Sequence, residues 1–195
     1  MVSFEDRAVA RLRDRLGEAE SARADLLAFA RGHSAAVASI HSAVLHALGA
    51  ESVEAMLDIA VRDWPELLEV DVAVVALVVG DQGFRVGRDG TSYLDPALVE
   101  RAVRGAPGGL TRPVERGHAL FGREAANVRA EAMVPIVAAS DDCPRGLLLL
   151  GHRAAVAGGS AHGAALVEFL GEVLGAMLRR WLTTPQTPTP TPRAR

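Results

Sequence analysis

The stretch from Ala119 to Gly151 constrains the fold most. Ala132 to Val137 is a short apolar run that carries Pro135. Ser140, Asp141, Asp142, Pro144 and Gly146 mark a polar turn, and Leu147 to Leu150 is an uninterrupted apolar run. Turn residues between two apolar runs predict strand, tight turn and strand. Four consecutive leucines predict that the second strand is buried on both faces. Just upstream, Leu120-Phe121-Gly122 and Ala125 to Val128 read as a segment lying over that sheet. No catalytic constellation accompanies these elements.

Composition narrows the function classes. A chain of 195 residues suits one domain with appendages. Its 49% apolar content supplies a core, and 23% charged residues is ordinary for a soluble protein. A net charge of -3 argues against a nucleic-acid partner, which a basic domain would serve. No apolar run approaches the roughly 18 residues that cross a bilayer. Met1 to Arg15 is highly charged and lacks a signal-peptide apolar region, so a cytoplasmic location is expected. The chain has no lysine, which removes Schiff-base chemistry, a Walker-type phosphate loop and the kinase lysine. Cys143 is the only cysteine, which removes internal disulfides and four-thiolate metal sites.

Residues 9 to 44 carry a stripe of Val9, Leu12, Leu16, Ala19, Leu26, Ala30, Val37, Ile40 and Val44, broken by Arg23 and His33. Its three-and-four spacing is a heptad-like seam. The seam fits a dimerising coiled coil or an amphipathic helix folded onto its own domain. Gly17 and Gly32 each weaken a helix by about 1 kcal/mol relative to Ala, so two segments are expected, meeting between Arg31 and Ser34. A helix from Ser52 to Trp64, with Ser52 as N-cap, ends or restarts at Pro65. Val70 to Val79 is a strand, Gly80 to Gly83 a hairpin turn, and Phe84 to Arg88 the returning strand. Asp95-Pro96 caps and opens a helix bearing Leu98, Val99, Ala102 and Val103. The last helix, His162 to Leu182, has Leu166, Leu170, Val173, Met177 and Trp181 in one stripe, and Ser160 as its N-cap. A Thr/Pro tail follows, with nothing to bury. Hairpin-linked strands with helices at both ends predict an α+β domain with an antiparallel sheet.

Candidate chemistry is thin. Gly158-Gly159-Ser160-Ala161-His162 resembles a nucleophile elbow, but the turn from Leu150 is not sharp, and a helix cap explains Ser160. His41 and His46 fall on different helix faces, and His118, His152 and His162 have no metal-ligand spacing. Asp141 and Asp142 suit amide capping in a turn. Cys143 beside Arg145 reads as a plain turn cysteine. Gly171 and Gly175 predict the close approach of another helix, from this chain or a dimer mate.

Leu120-Phe121-Gly122, Ala125-Ala126, the Ala132 to Pro135 strand, Gly146 to Gly151, Phe169-Leu170-Gly171 and Leu178 to Leu182 come in a fixed order. In this the chain resembles the bacterial domain-of-unknown-function family 484, whose core is similar to GAF domains, over roughly residues 9 to 182. The resemblance implies a central antiparallel sheet flanked by helices. Terminal helices would pack on one face and a ligand pocket would lie on the other. It also implies dimerisation through terminal helices, with no activity established for the class. The lysine-bearing signature of cyclic-nucleotide GAF domains is absent, and a tetrapyrrole-attaching cysteine is unsupported.

The expectation is a GAF-like α+β domain at residues 34–182, preceded by a long N-terminal amphipathic helix at 1–33 and followed by a tail at 183–195. It is expected to be a non-catalytic sensory or regulatory homodimer that binds a small molecule or a protein, without cofactor, metal, nucleic acid or membrane. Phe84, Arg88, Leu120, Phe121, Val128, Met133 and His152 are the candidate pocket residues, offering apolar walls with a few polar groups. A protein-interaction scaffold with a filled pocket is the alternative, and a hydrolase using Ser160 or His162 a further one.

Overall fold

The computed structural model describes residues 4–136, 145–155 and 161–183. Helix α1 is Phe4–Leu48, α2 Val53–Arg62, α3 Trp64–Leu67, α4 Pro96–Gly105 and α5 Ala161–Thr183. Strands are β1 Val72–Val79, β2 Gln82–Gly87, β3 Gly90–Leu94, β4 Leu110–Pro113, β5 Ala130–Ile136 and β6 Arg145–His152. A 3-10 segment, Ala119–Ala126, precedes β5. The chain divides into two compact units, Met1–Ala38 and Ser39–Arg195. The described part of the first is helical throughout.

The second unit is built on one antiparallel sheet in the order β3-β2-β1-β6-β5-β4. The apolar runs at 72–79 and 147–150 become its two central strands, and Leu147, Leu148 and Leu149 have no exposed surface. Alternation divides their side chains between two cores. Ala73, Val75, Leu77, Leu148 and Leu150 face one core, shared with the end of α1, α2 and α5. Val72, Val74, Ala76, Leu147 and Leu149 face the other, covered by α4 and the 3-10 segment. The α+β reading, a central antiparallel sheet flanked by helices, therefore holds.

Local signals account for much of the rest. Ser52 Oγ accepts from the Ala55 amide at 3.1 Å and Asp95 Oδ1 from the Ala97 amide at 2.9 Å, so both expected caps form. The chain restarts as α3 with Pro65 in its first turn. Pro135 lies beyond the last β4 partner, because β4 pairs only with residues 130 to 133 of β5. A residue without an N–H is tolerated where no ladder bond is required.

Three expectations change. Helix α1 is continuous through Gly32, because a glycine penalty of about 1 kcal/mol is small against a long run of intrahelical bonds. At the C-terminal end of α1, Ile40 of the stripe is buried in the first core together with Ala43 and Ala47. Gly171 admits a strand rather than a helix, since a Cβ there would lie 2.6 Å from the Pro135 carbonyl oxygen. Two strands, β3 and β4, add to the four expected. The turn at Ser140 to Pro144, Cys143 within it, and Ser160 lie outside the described residues.

Trp64 has no exposed surface, and its indole Nε1 donates to the Ala43 carbonyl at 3.0 Å, tying α3 to the end of α1. Trp64→Ala is expected to lower unfolding free energy by about 3–5 kcal/mol in a denaturant titration. Gly171→Ala should cost about 1–3 kcal/mol through overpacking against β5. Gly32→Ala meets nothing within 4 Å, so it should raise helix stability by up to about 1 kcal/mol in the same measurement.

Candidate functional site

The sheet face under α4 and the 3-10 segment carries two charged side chains in an otherwise apolar setting. Arg85 on β2 pairs with Ala76 of β1, so it shares the face of the second core, and it is only 8% exposed. Its Nη2 donates to Asp89 Oδ1 at 2.5 Å. Asp89 sits in the β2–β3 turn with its side chain half exposed. Hydrogen bonding from Arg85 holds the Asp89 carboxyl below its usual range, and the charges of Arg85 and Arg123 add to this against some desolvation. Gly122 faces the same guanidinium. It interrupts the 3-10 segment at φ 63 and ψ -123, and a Cβ there would lie 2.0 Å from Arg85 Nη1. Only a residue free in the left-handed region and lacking a Cβ fits that place.

Glu131 on β5 is the second group, with a fully buried side chain. Its Oε1 accepts from Arg112 Nε at 3.0 Å and Nη2 at 2.9 Å, and its Oε2 accepts from the His118 amide at 2.7 Å. A buried carboxylate is stable only when its lone pairs are so occupied. The cluster ties β4 and β5 to the start of the 3-10 segment. His118 Nδ1 in turn accepts from the Leu120 amide at 3.2 Å, capping that segment. Burial lowers the His118 pKa; the Glu131 charge opposes this and the Arg112 charge reinforces it.

Four of the expected pocket residues come together here. Leu120, Phe121, Val128 and Met133 are all buried in the second core, where they pack on one another and on the sheet. Three do not join them. Phe84 alternates with Arg85, pairs with Leu77 and lies on the opposite face, where its ring meets Tyr93 at 5.3 Å. Arg88 is exposed in the β2–β3 turn. His152 is half-buried at the end of β6, on the Phe84 side by alternation, 3.8 Å from Asp71. Sequence reasoning passes over Arg85 and Glu131. The available signal was their setting: Arg85 alternates with Gly83 and Gly87, and Glu131 is the one charge in an apolar strand. A groove of about 120 Å³ also lies between β1, α4 and β6, lined by Val78, Val99, Glu100, Val103, Arg104 and Arg145. It falls below the roughly 300 Å³ at which small-molecule sites begin. Among the described residues no three His, Cys, Asp or Glu side chains are grouped to hold a metal ion.

The family described as a protein of unknown function, DUF484, matches residues 1–183. The chain belongs to the DUF484 family. Solved structures place this member's fold beside GAF domains. That of a phosphoenolpyruvate-protein phosphotransferase from Coxiella burnetii shares 13% identity at a TM-score of 0.54, covering 76% of this chain and 95% of that one. The GAF domain assigned to a sensor histidine kinase from Pseudomonas syringae pv. tomato shares 13% identity at 0.52, covering 80% and 92%. Free methionine-R-sulfoxide reductase from Neisseria meningitidis, solved with its substrate, shares 16% identity at 0.50, covering 72% and 86%. At such identities the likeness concerns the fold alone. No curated protein matches the chain.

The lowered His118 pKa has a sign. Above about pH 6.5 the ring is neutral in both folded and unfolded chains. As pH falls through that value the unfolded chain takes up the proton first, so stability declines until the folded pKa is reached. His118→Asn keeps a side-chain acceptor for the Leu120 amide and removes the titration. Its unfolding free energy should fall less steeply than that of the wild type between pH 7 and 5, measured by denaturant titration at each pH.

Proposed function

We propose that this DUF484 chain is a GAF-like sensory or regulatory module. It binds a small ligand or a protein partner and pairs with a second copy through its terminal helices. The observation that carries the reading is apolar exposure on those helices. Leu45 and Leu48 of α1 are 68% and 56% exposed, and Phe169 of α5 is 43% exposed, although each helix also contributes buried residues to the core. Large apolar side chains left in water next to a completed core are suited to a partner surface. The names of two similar structures, a phosphotransferase GAF domain and a sensor-kinase GAF domain, support a regulatory use of this fold. In this reading the chain does no chemistry of its own and works in the cytoplasm. Among the described residues no helix is long and apolar enough to cross a membrane.

A scaffold with a filled pocket is the second reading, favoured by the tight packing of Leu120, Phe121, Val128 and Met133 beneath the 3-10 segment. A native mass spectrum of freshly purified chain, recorded beside a denaturing one, separates the two. A dimer carrying extra mass that is lost on denaturation is the expected result for a ligand-binding module. A dimer of bare chains favours the scaffold, and a clean monomer removes pairing through the terminal helices.

A further inference from the structure

Arg85 is a buried cation with an unfinished set of partners. Its Nη2 has Asp89, but Nε is buried with no acceptor. A buried charged donor left unsatisfied is costly and rare in a folded protein. The Nε–Nη2 edge of a guanidinium is a planar fork that matches both oxygens of one carboxylate. Asp89 uses half of that fork, through Oδ1 alone.

The surroundings are shaped for the same chemistry. Gly122 leaves room for Nη1, and a Cβ at Gly87 would stand 2.9 Å from Asp89 Oδ1 and 3.2 Å from Nη2. Asp89 lies on an exposed turn between Gly87 and Gly90, so it can leave without unpacking either core. Arg123 is exposed and close enough to act on the Asp89 charge, and exposed Arg88 precedes Asp89 in the same turn. A carboxylate arriving from solvent thus meets positive charge before it reaches the buried one.

We propose that Arg85 is the anchor of a binding site for a small-molecule carboxylate, and that Asp89 is its internal stand-in. The incoming carboxylate takes Nε and Nη2 together and displaces Asp89 with the β2–β3 turn. This rests on the reading of the chain as a ligand-binding module and names the chemical class of its ligand.

The test is a titration of the full ¹⁵N-labelled chain with sodium acetate, against sodium chloride at equal ionic strength and against inorganic phosphate. In the wild type, the Arg85 Nε–H signal and the Gly87 and Gly90 amides should shift together and saturate with acetate only. Asp89→Ala removes the stand-in and should bind acetate at least about tenfold more tightly, the equivalent of one charge-assisted hydrogen bond. Arg85→Lys should abolish saturation. The wild-type titration decides the matter even if a variant does not fold. A wild-type Nε–H signal that ignores acetate overturns the proposal, since Asp89 is then a permanent partner. A response to phosphate equal to or above that to acetate overturns the carboxylate assignment. A native dimer that carries other bound mass, with no acetate response, removes the carboxylate and leaves the module.

Discussion

Strands β1 and β6 lie side by side at the centre of the sheet and are buried on both faces, which sets the position of every element that covers them. Burying one large aliphatic side chain contributes roughly 1.5–3 kcal/mol, and this pair buries a row of them on each side. Two covers are therefore obligatory. On one side α2, α5 and the end of α1 supply long apolar faces, with Trp64 and Leu170 fully enclosed. On the other, α4 and an eight-residue 3-10 segment must do the same with fewer residues.

The shorter cover explains why the charged groups are where they are. A 3-10 segment kinked at Gly122 offers few backbone bonds of its own to fix its position. Glu131 fastens its start through the His118 amide, and Arg85 lies against its kink. This chain thus places polar anchoring on one face of the sheet and plain apolar packing on the other.

How much of this could be read from the sequence depends on burial. Strands β1 and β6 announce themselves as apolar runs, and Ser52 and Asp95 as caps, because each signal is local. Strand β3, Gly90–Leu94, has Thr91, Ser92 and Tyr93 all exposed, so no apolar alternation marks it. Strand β4 is Leu-Thr-Arg-Pro and equally silent. The face assignments of Phe84 and Arg85 hinge on register: one step of pairing exchanges them. Arg85 and Glu131 are overlooked for a different reason: their setting is a faint signal, since a charge in a short strand is ordinarily a solvated one.

The two outer strands bear on what the sheet can do with copies of itself. An open sheet ends in two rows of unpaired backbone groups, and these can template pairing with another chain. Here one border has five residues and the other four, the latter closing on Pro113, which offers no amide. Short borders and an edge proline blunt such pairing, and a chain with nearly half its residues apolar keeps its leucine run two strands or more from either open edge.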